Sequence, residues 1–410
     1  MSEKLKVVWL CHLSNKEIQD ILKPWKKSAE FAPWMFMSLK IAENDPRFEI
    51  HVVSPHAYIR QTKSFVLRGI YYHFYNPYIP LWGRPLPRVI NFNEWIGYKW
   101  AQKEVGKIIS EVKPDVIHLY GAENPYYSSA ILPLRDKYPT ILTVQGFISH
   151  TKDYIDRHVK YRIQIEREVI KSIPVCFFRS KIQARDTLEI NPSMELMPNF
   201  FGSYELKYEN LPTEKKYDLV FFARVCKDKG IEDLLNAVKI IKQTKPNITL
   251  CVIGGGEVTK YKNYCKSLGI EQNVFWSGFL PTRKDVHFKV AECRISVLPT
   301  YHDVLPGTII ESMFLGVPVV TYNVDSNPEI NENFEAIKLV HVGDVQELTN
   351  TLLNLLKDEA QRLSLSKSGL KRAYEMFAPA DETVANQWYA GYQRAIHIKQ
   401  FGCKTMSVNN

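Results

Sequence analysis

Thr300-Tyr-His-Asp-Val-Leu-Pro-Gly-Thr-Ile-Ile-Glu-Ser-Met-Phe-Leu-Gly-Val-Pro-Val-Val-Thr-Tyr322 reads as a strand end, a tight loop, a short helix and a second strand. The apolar run before it, Ile295 to Leu298, stops at Pro299 and reads as the end of a buried strand. Pro306-Gly307 breaks the chain, Thr308 opens a short helix that Gly316 and Pro318 close, and Val317 to Tyr322 resumes as a buried strand. A strand, loop and helix in this order hold free backbone N–H groups and the positive end of a helix dipole above a sheet, which suits a phosphate. Two carboxylates flank the loop, Asp303 before it and Glu311 one turn into the helix. An ordinary βαβ crossover with a solvated Glu311 is the competing reading.

The chain also supplies cations at a comparable strand end. Tyr217 to Phe222 reads as a strand; Arg224 follows it, and Lys229 precedes a helix over Ile231 to Lys242. From there both can reach one diphosphate, Arg as a planar fork and Lys as a point charge, although two exposed basic residues by themselves mean little. Ile248 to Glu257 is a strand running into Gly254-Gly-Gly256, but Thr259 stands where a dinucleotide fingerprint needs its third glycine, which argues against a nicotinamide cofactor. Asn273 to Leu280 is a further strand, Leu348 to Leu356 and the region to Phe377 read as helices, and 381–402 as a last amphipathic helix.

The first half opens with a strand at Leu5 to Leu10 and a loop, Cys11 to Asn15, at the carboxyl edge where α/β sheets place ligands. His12 and Asn15 there line a cleft or serve the structure. Phe48 to Pro55 is a second strand, and residues 71–100, dense in aromatics and proline, read as a long ordered loop and helix over a cleft. His118 lies in an apolar strand and reads as a satisfied core residue. Ile155 to Ile170 reads as a solvated amphipathic helix, Pro174 to Phe178 as the last strand of the first domain, and the polar stretch 202–217 as a linker.

At 410 residues the chain exceeds one compact core and fits two domains. Its seven cysteines are odd in number, scattered and without a C-x-x-C pair, which points to reduced thiols in a cytosolic protein and not to a disulfide framework or zinc site. The apolar start, Val7 to Cys11, is too short for a secretory signal, and no run of about 18 apolar residues spans a membrane. Residues 1–200 hold 28 Lys+Arg against 20 Asp+Glu, net +8; the remainder holds 25 against 24, net +1, giving +9 in all. An acidic partner for the first half is expected, and no nucleic-acid module accompanies the charge.

The Asp303-x7-Glu311 spacing with its tail Ser312-Met-Phe-Leu-Gly-Val-Pro-Val-Val320 resembles the E-x7-E signature of retaining glycosyltransferases of family 4, glycosyl transferases group 1. Pro306 matches a common variant of the motif; Asp303 replaces the usual Glu and is shorter by one C–C bond, about 1.5 Å. Ala223-Arg-Val-Cys-Lys-Asp-Lys-Gly230 is similar to the family's Gly-Arg-Leu…Lys-Gly segment, with Ala223 for the first glycine. Lys113 to Gly121 and Pro139 to Phe147 resemble its fourth and fifth strands. The second usually ends Val-His-Gly, the His contacting the transferred sugar; Gln145 stands there and keeps a hydrogen bond without a titratable proton. Met197-Pro-Asn-Phe200 resembles the segment where such chains leave the first domain.

The resemblance implies an α/β GT-B fold, two Rossmann-like domains facing a central cleft with a C-terminal helix crossing back to the first. The expected domains are 1–205 for the acceptor, 206–378 for the nucleotide sugar, 379–402 for the crossover helix and 403–410 for a tail. It implies transfer of a hexosyl unit from a nucleotide-diphosphate sugar, with retention, to a lipid-linked or envelope polysaccharide acceptor. Asp303, Glu311, Arg224 and Lys229 are the implied catalytic residues. Gly254, Gly278, Phe279, Leu280, Leu305, Pro306, Gly307, Thr308 and Gln145 are the implied donor contacts. D-x-D occurs nowhere, so no metal and no cofactor is expected beyond the donor itself. Trp25, Lys26, Lys27 and Trp34 are the implied contacts with acceptor or anionic membrane, on a cytoplasmic protein at the membrane's inner face; a buried helix face is the competing reading for Met35 to Leu39. Two readings from other classes remain beside it, a GT-B-fold nucleotide-sugar epimerase and a non-catalytic sugar- or lipid-binding relative.

Overall fold

The computed structural model describes residues 4–26, 32–79, 92–150, 156–199, 206, 208–303 and 305–402. The chain divides into two units, Met1–Gly202 with Ala380–Asn410, and Ser203–Pro379.

The first unit is built on an eight-stranded sheet. Its strands are β1 (Leu5–Leu10), β2 (Phe48–Pro55), β3 (Lys63–Leu67), β4 (Ile70–Tyr75), β5 (Val116–Tyr120), β6 (Thr140–Thr143), β7 (Val175–Phe178) and β8 (Glu195–Pro198), in the order β3-β4-β2-β1-β5-β6-β7-β8. Every neighbouring pair is parallel except β3 with β4. Helices α1 (Lys16–Leu22), α2 (Pro33–Asn44), α3 (Phe92–Trp95), α4 (Lys99–Val112), α5 (Pro125–Ser128), α6 (Arg157–Ser172) and α7 (Lys181–Ile190) run between them. Val7 and Trp9 enter one core and Val8 and Leu10 another. A strand buried on both faces reads as an unbroken apolar run, which is why β1 showed no alternation.

Two expectations need correction. Residues 71–75, expected to lie in a loop and helix, belong to β4, the second arm of a hairpin turned at Arg68-Gly69. Tyr71 to Tyr75 alternates across the two faces of the sheet, and aromatic residues suit a pleated surface. Pro174 to Phe178 does not end the sheet, because β8 adds to its edge through Phe178 opposite Pro198. A proline is tolerated there because an outermost strand has one side without partners. Asn15 caps α1, its side chain accepting from the Ile18 N–H at 2.8 Å, the structural role of the two open to it.

The second unit alternates strand and helix throughout: β9 (Tyr217–Phe222), α8 (Ile231–Thr244), β10 (Leu250–Ile253), α9 (Val258–Leu268), β11 (Val274–Gly278), α10 (Arg283–Ala291), β12 (Cys293–Leu298), α11 (Gly307–Phe314), β13 (Val319–Tyr322), α12 (Asn327–Ile330), β14 (Lys338–Val340), α13 (Val345–Lys357) and α14 (Glu359–Phe377). Its six strands are all parallel, in the order β11-β10-β9-β12-β13-β14. The order reverses between β9 and β12, so the loops after these two strands leave in opposite directions and open a crevice at their carboxyl ends. α8 closes one face of this sheet with Ile231, Leu234, Leu235, Val238 and Ile241.

The last helix, α15 (Asp381–Phe401), returns to the first unit. Val384, Trp388, Tyr392 and Ala395 join the core that holds Trp9 and Phe177. Tyr392 Oη accepts from Trp9 Nε1 at 3.0 Å and lies 2.9 Å from His118 Nδ1, while His118 Nε2 reaches Thr143 Oγ1 at 2.7 Å. His118 is thus a core residue with both ring nitrogens satisfied, and burial holds its pKa well below the usual histidine value.

Candidate functional site

The site grows from the crevice of the second unit, where three loops are pressed together by glycines. Gly230 closes the turn after β9 at φ 73°, and a Cβ there would lie 1.8 Å from the Pro299 carbonyl oxygen. Only glycine lets the β9 loop come this close to the end of β12. On the other side of β9, a Cβ at Gly254 would meet the Ala223 carbonyl oxygen at 2.2 Å. The Gly254-Gly-Gly256 turn therefore serves backbone packing against the Arg224 segment, and Val225 and Gly256 form an isolated bridge. Gly254 N–H also donates to the Gly278 carbonyl at 2.9 Å, which sets Gly278, Phe279 and Leu280 beside it. Phe279 is 87% exposed at this rim.

Within this frame Arg224 is exposed directly after β9, and Lys229 is half-buried at the end of a short 3₁₀ turn. Lys229 Nζ donates to Asp303 Oδ2, so the cation of one loop and the acid of the other meet across the crevice between β9 and β12. Tyr301 N–H donates to the Asp228 carbonyl at 2.9 Å and fastens the same two loops. Asp303 is held from below by Asp325: its N–H donates to Asp325 Oδ2 at 2.7 Å, and His302 Nδ1 lies 2.6 Å from the same oxygen. The hydrogen bond to Asp325 raises the His302 pKa against the opposing effect of burial. Asp325 adopts φ 47°, a backbone region that non-glycine residues rarely occupy and that concentrates at functional sites.

α11 begins at Gly307 with Pro306 as its N-cap, and no side chain caps its first turn. Leu305 is partly buried against the core and Thr308 is half-buried, its carbonyl taking the Ser312 hydroxyl at 2.8 Å. Glu311 is mostly buried, its side chain 13% exposed. Its Oε2 lies 2.9 Å from His287 Nε2, and its Oε1 accepts from Arg283 Nη2. Burial pushes the carboxyl pKa up, but His287 and Arg283 outweigh it and the net shift is downward. His287 in turn lies 2.6 Å from the Tyr208 hydroxyl. A second clamp sits one strand over, where Tyr301 and Tyr322 both donate to Asp233 Oδ2, at 2.6 and 2.7 Å.

Arg224, Lys229, Gly254, Gly278 to Leu280, Asp303 and Leu305 to Thr308 with Glu311 thus lie in one unit, at or near the carboxyl edge of its sheet. Gln145 is half-buried just past the carboxyl end of β6 in the first unit. Trp25 is 46% exposed with its ring edge-on to Tyr58, and Lys26 Nζ lies 5.5 Å from the centre of the Tyr58 ring. Lys27 and the Trp34 side chain lie outside the described residues. Sequence reasoning missed Tyr208, Asp233, Arg283, His287 and Asp325. One signal was present: Arg283 and His287 are four apart in a helix with a Thr282/Asp285 capping box, hence on one face of it.

Among the described residues no helix is long and apolar enough to cross a membrane. Residues 204–372 match the family model described as glycosyl transferases group 1. The capsular polysaccharide biosynthesis glycosyltransferase CapM of Staphylococcus aureus is 28% identical over 174 residues, 42% of this chain and 45% of the relative. The N,N'-diacetylbacillosaminyl-diphospho-undecaprenol alpha-1,3-N-acetylgalactosaminyltransferase of Campylobacter jejuni is 27% identical over 193 residues, 47% of this chain and 48% of the relative. The match thus spans about half the length of these two curated relatives. Among solved structures, sucrose-phosphate synthase from Thermosynechococcus elongatus superposes with a TM-score of 0.70 at 14% identity, covering 95% of this chain and 99% of the other. Anabaena HepE in complex with UDP gives 0.65 at 14% identity over 96% and 100%. At such identities the likeness speaks for the fold. Both units have the Rossmann-like build of the GT-B fold, and the match to glycosyl transferases group 1 lies in the second unit.

Proposed function

We propose that this protein transfers a hexosyl unit from a nucleotide-diphosphate sugar to a lipid-linked or envelope polysaccharide acceptor, with retention of anomeric configuration and without a metal. The observation that carries the reading is the meeting of Lys229 with Asp303 over the β9/β12 crevice, beside the uncapped start of α11. Departure of a nucleoside diphosphate leaves charge on its outer phosphate. Arg224, Lys229 and the N–H groups of Gly307 and Thr308 supply fixed positive potential for it, stabilisation of the oxyanion-hole kind. Asp303 then orients the sugar hydroxyls, with Lys229 exchanging part of its contact from carboxylate to phosphate. Glu311 accepts from the nucleoside. Attack and departure on one face of the sugar need no protein nucleophile.

The relatives favour the acceptor class, since their names place them in capsule synthesis and on a diphospho-undecaprenol sugar. The HepE structures, in complex with UDP, with UDP and glucose or with UDP-glucose, favour the donor class. Gln145 offers a hydrogen bond to the transferred sugar, the aromatic residues of the first unit serve the acceptor side, and Trp25 with Lys26 provides a peripheral contact with an anionic membrane surface.

The test begins with a thermal-shift screen of nucleotide sugars and continues with transfer assays on the donor that binds. Arg224→Ala, Lys229→Ala and Glu311→Ala each lower transfer by about 100-fold or more, and chelator leaves the wild-type rate unchanged. Full activity in Lys229→Ala, or abolition by chelator, refutes the mechanism. Turnover of donor to an epimer without acceptor assigns the protein to the isomerases instead.

A further inference from the structure

We infer that Asp325, in the loop after β13, is a positioning residue for the donor's sugar: by holding the backbone of Asp303 it offsets the shortness of that side chain. The inference deepens the reading above and rests on it.

The loop that carries Asp325 is pinned from several sides. Asn327, fully buried, donates from Nδ2 to the Thr321 hydroxyl at 3.2 Å and to the Tyr322 carbonyl at 3.0 Å. Thr321 in turn donates to the Leu298 carbonyl at 2.6 Å, which ties β13 to the end of β12. Asn323 N–H donates to the Val340 carbonyl at 2.7 Å, on the strand beyond. A loop so constrained keeps Asp325 at φ 47°, where a side chain is sterically unfavourable and glycine is not. The side chain retained there reaches the loop after β12. Its Oδ2 accepts from the Asp303 N–H at 2.7 Å and lies 2.6 Å from His302 Nδ1.

The consequence lies at Asp303. Aspartate has one C–C bond fewer than glutamate with which to correct a misplaced backbone, about 1.5 Å of reach. With its N–H fixed on Asp325, Asp303 delivers Oδ2 to Lys229 Nζ across the crevice. A carboxylate has lone pairs beyond the one that Lys229 takes, and these serve the sugar hydroxyls. Asp325 touches no substrate in this scheme. Its loss lowers kcat and leaves nucleotide binding in place, because Arg224, Lys229 and the start of α11 hold the diphosphate.

Glycine is the diagnostic substitution, since it removes the carboxylate and relieves the backbone at once. The experiment uses the full chain with UDP-, GDP- and ADP-linked hexoses, and reads release of the nucleoside diphosphate to water or to an alkyl glycoside supplied as acceptor. Asp325→Gly is expected to lower kcat by about tenfold or more. Donor KM and the affinity for the free diphosphate stay within about threefold of wild type, and the urea midpoint stays close to it. Asp325→Asn keeps an acceptor oxygen and tolerates a left-handed φ, so it retains kcat within about threefold. Asp303→Glu in the Asp325→Gly background restores most of the lost turnover. His302 supplies a readout independent of turnover. It faces Asp325 from the loop after β13, Lys229 from the loop after β9 and Asp303 beside it, and its bond to Asp325 raises its pKa. An NMR titration therefore places its midpoint lower in Asp325→Asn and Asp325→Gly than in wild type. Unchanged kcat in Asp325→Gly, an equal fall in kcat and diphosphate affinity, or a His302 midpoint indifferent to Asp325 overturns the inference and leaves the transferase reading intact. Failure of wild type to bind or turn over any of these donors overturns both.

Discussion

At the scale of a single residue, Glu311 shows how a motif position depends on side chains the motif does not contain. Arg283 and His287 on α10 face its carboxylate, and Tyr208 stands behind His287. Arg283 and His287 hold its pKa below the ordinary glutamate value, about 4.3, although burial acts in the other direction. The sign follows: a depressed carboxylate contributes stability that is complete above the ordinary value and is lost as pH falls through the depressed one. A carboxyl-carbon NMR titration is expected to place the Glu311 midpoint below about 4.3 in wild type and higher in His287→Leu, where burial meets less opposition. A wild-type midpoint above the ordinary value contradicts the ion-pair geometry. The acids and cations themselves were legible, because Asp303, Glu311, Arg224 and Lys229 sit at motif spacings. Their supports were not, since His287 is 24 positions from Glu311 and Tyr208 a further 79 from His287. Nothing in local pattern pairs residues that far apart.

At the scale of elements, the parallel strands of the second unit were legible as short apolar runs ended by glycine and proline, but their order was not. The crevice exists because β9 lies between β10 and β12, and periodicity carries no information about neighbours across a sheet. The β3–β4 hairpin was missed for a related reason: an aromatic run beside prolines reads equally as an ordered loop until a partner strand is seen. Glycine spacing has a meaning here that local pattern does not carry. Gly254 and Gly256 look like part of a dinucleotide fingerprint, whereas each is required by a carbonyl of the β9 loop, Ala223 and Val225 respectively. Gly230 makes the same point at the site itself. Gly230→Ala introduces a Cβ 1.8 Å from the Pro299 carbonyl oxygen at a left-handed φ, so the loop carrying Lys229 must move away from Asp303. The expected cost is on the order of 2–3 kcal/mol of stability, read by urea unfolding, together with weaker nucleotide binding. An alanine variant with unchanged stability and affinity would show that the two loops are not in contact.

At the scale of the whole molecule, the chain leaves its first unit at residue 202, builds the second, and returns at 380 to finish the first. The amphipathic pattern of 381–402 made the helix legible and the family resemblance implied its return to the first domain; the side chains it meets there were not legible. α15 buries Val384, Trp388 and Tyr392 in the core around Trp9, and Tyr392 joins Trp9 Nε1 to His118. Burying such side chains contributes about 1.5–3 kcal/mol each, or about 5–9 kcal/mol for the three. That is comparable to the whole stability of a typical domain, about 5–15 kcal/mol. Removing the helix would also leave the buried nitrogens of Trp9 and His118 without the Tyr392 hydroxyl. A chain ending at Pro379 is therefore expected to lose the fold of its first unit while the second, whose core draws on residues before 380, persists. Limited proteolysis distinguishes the outcomes. Digestion of residues 1–202 with a resistant fragment near 203–379 is the expected result, and equal protection of both parts would mean that α15 is dispensable to the core it completes.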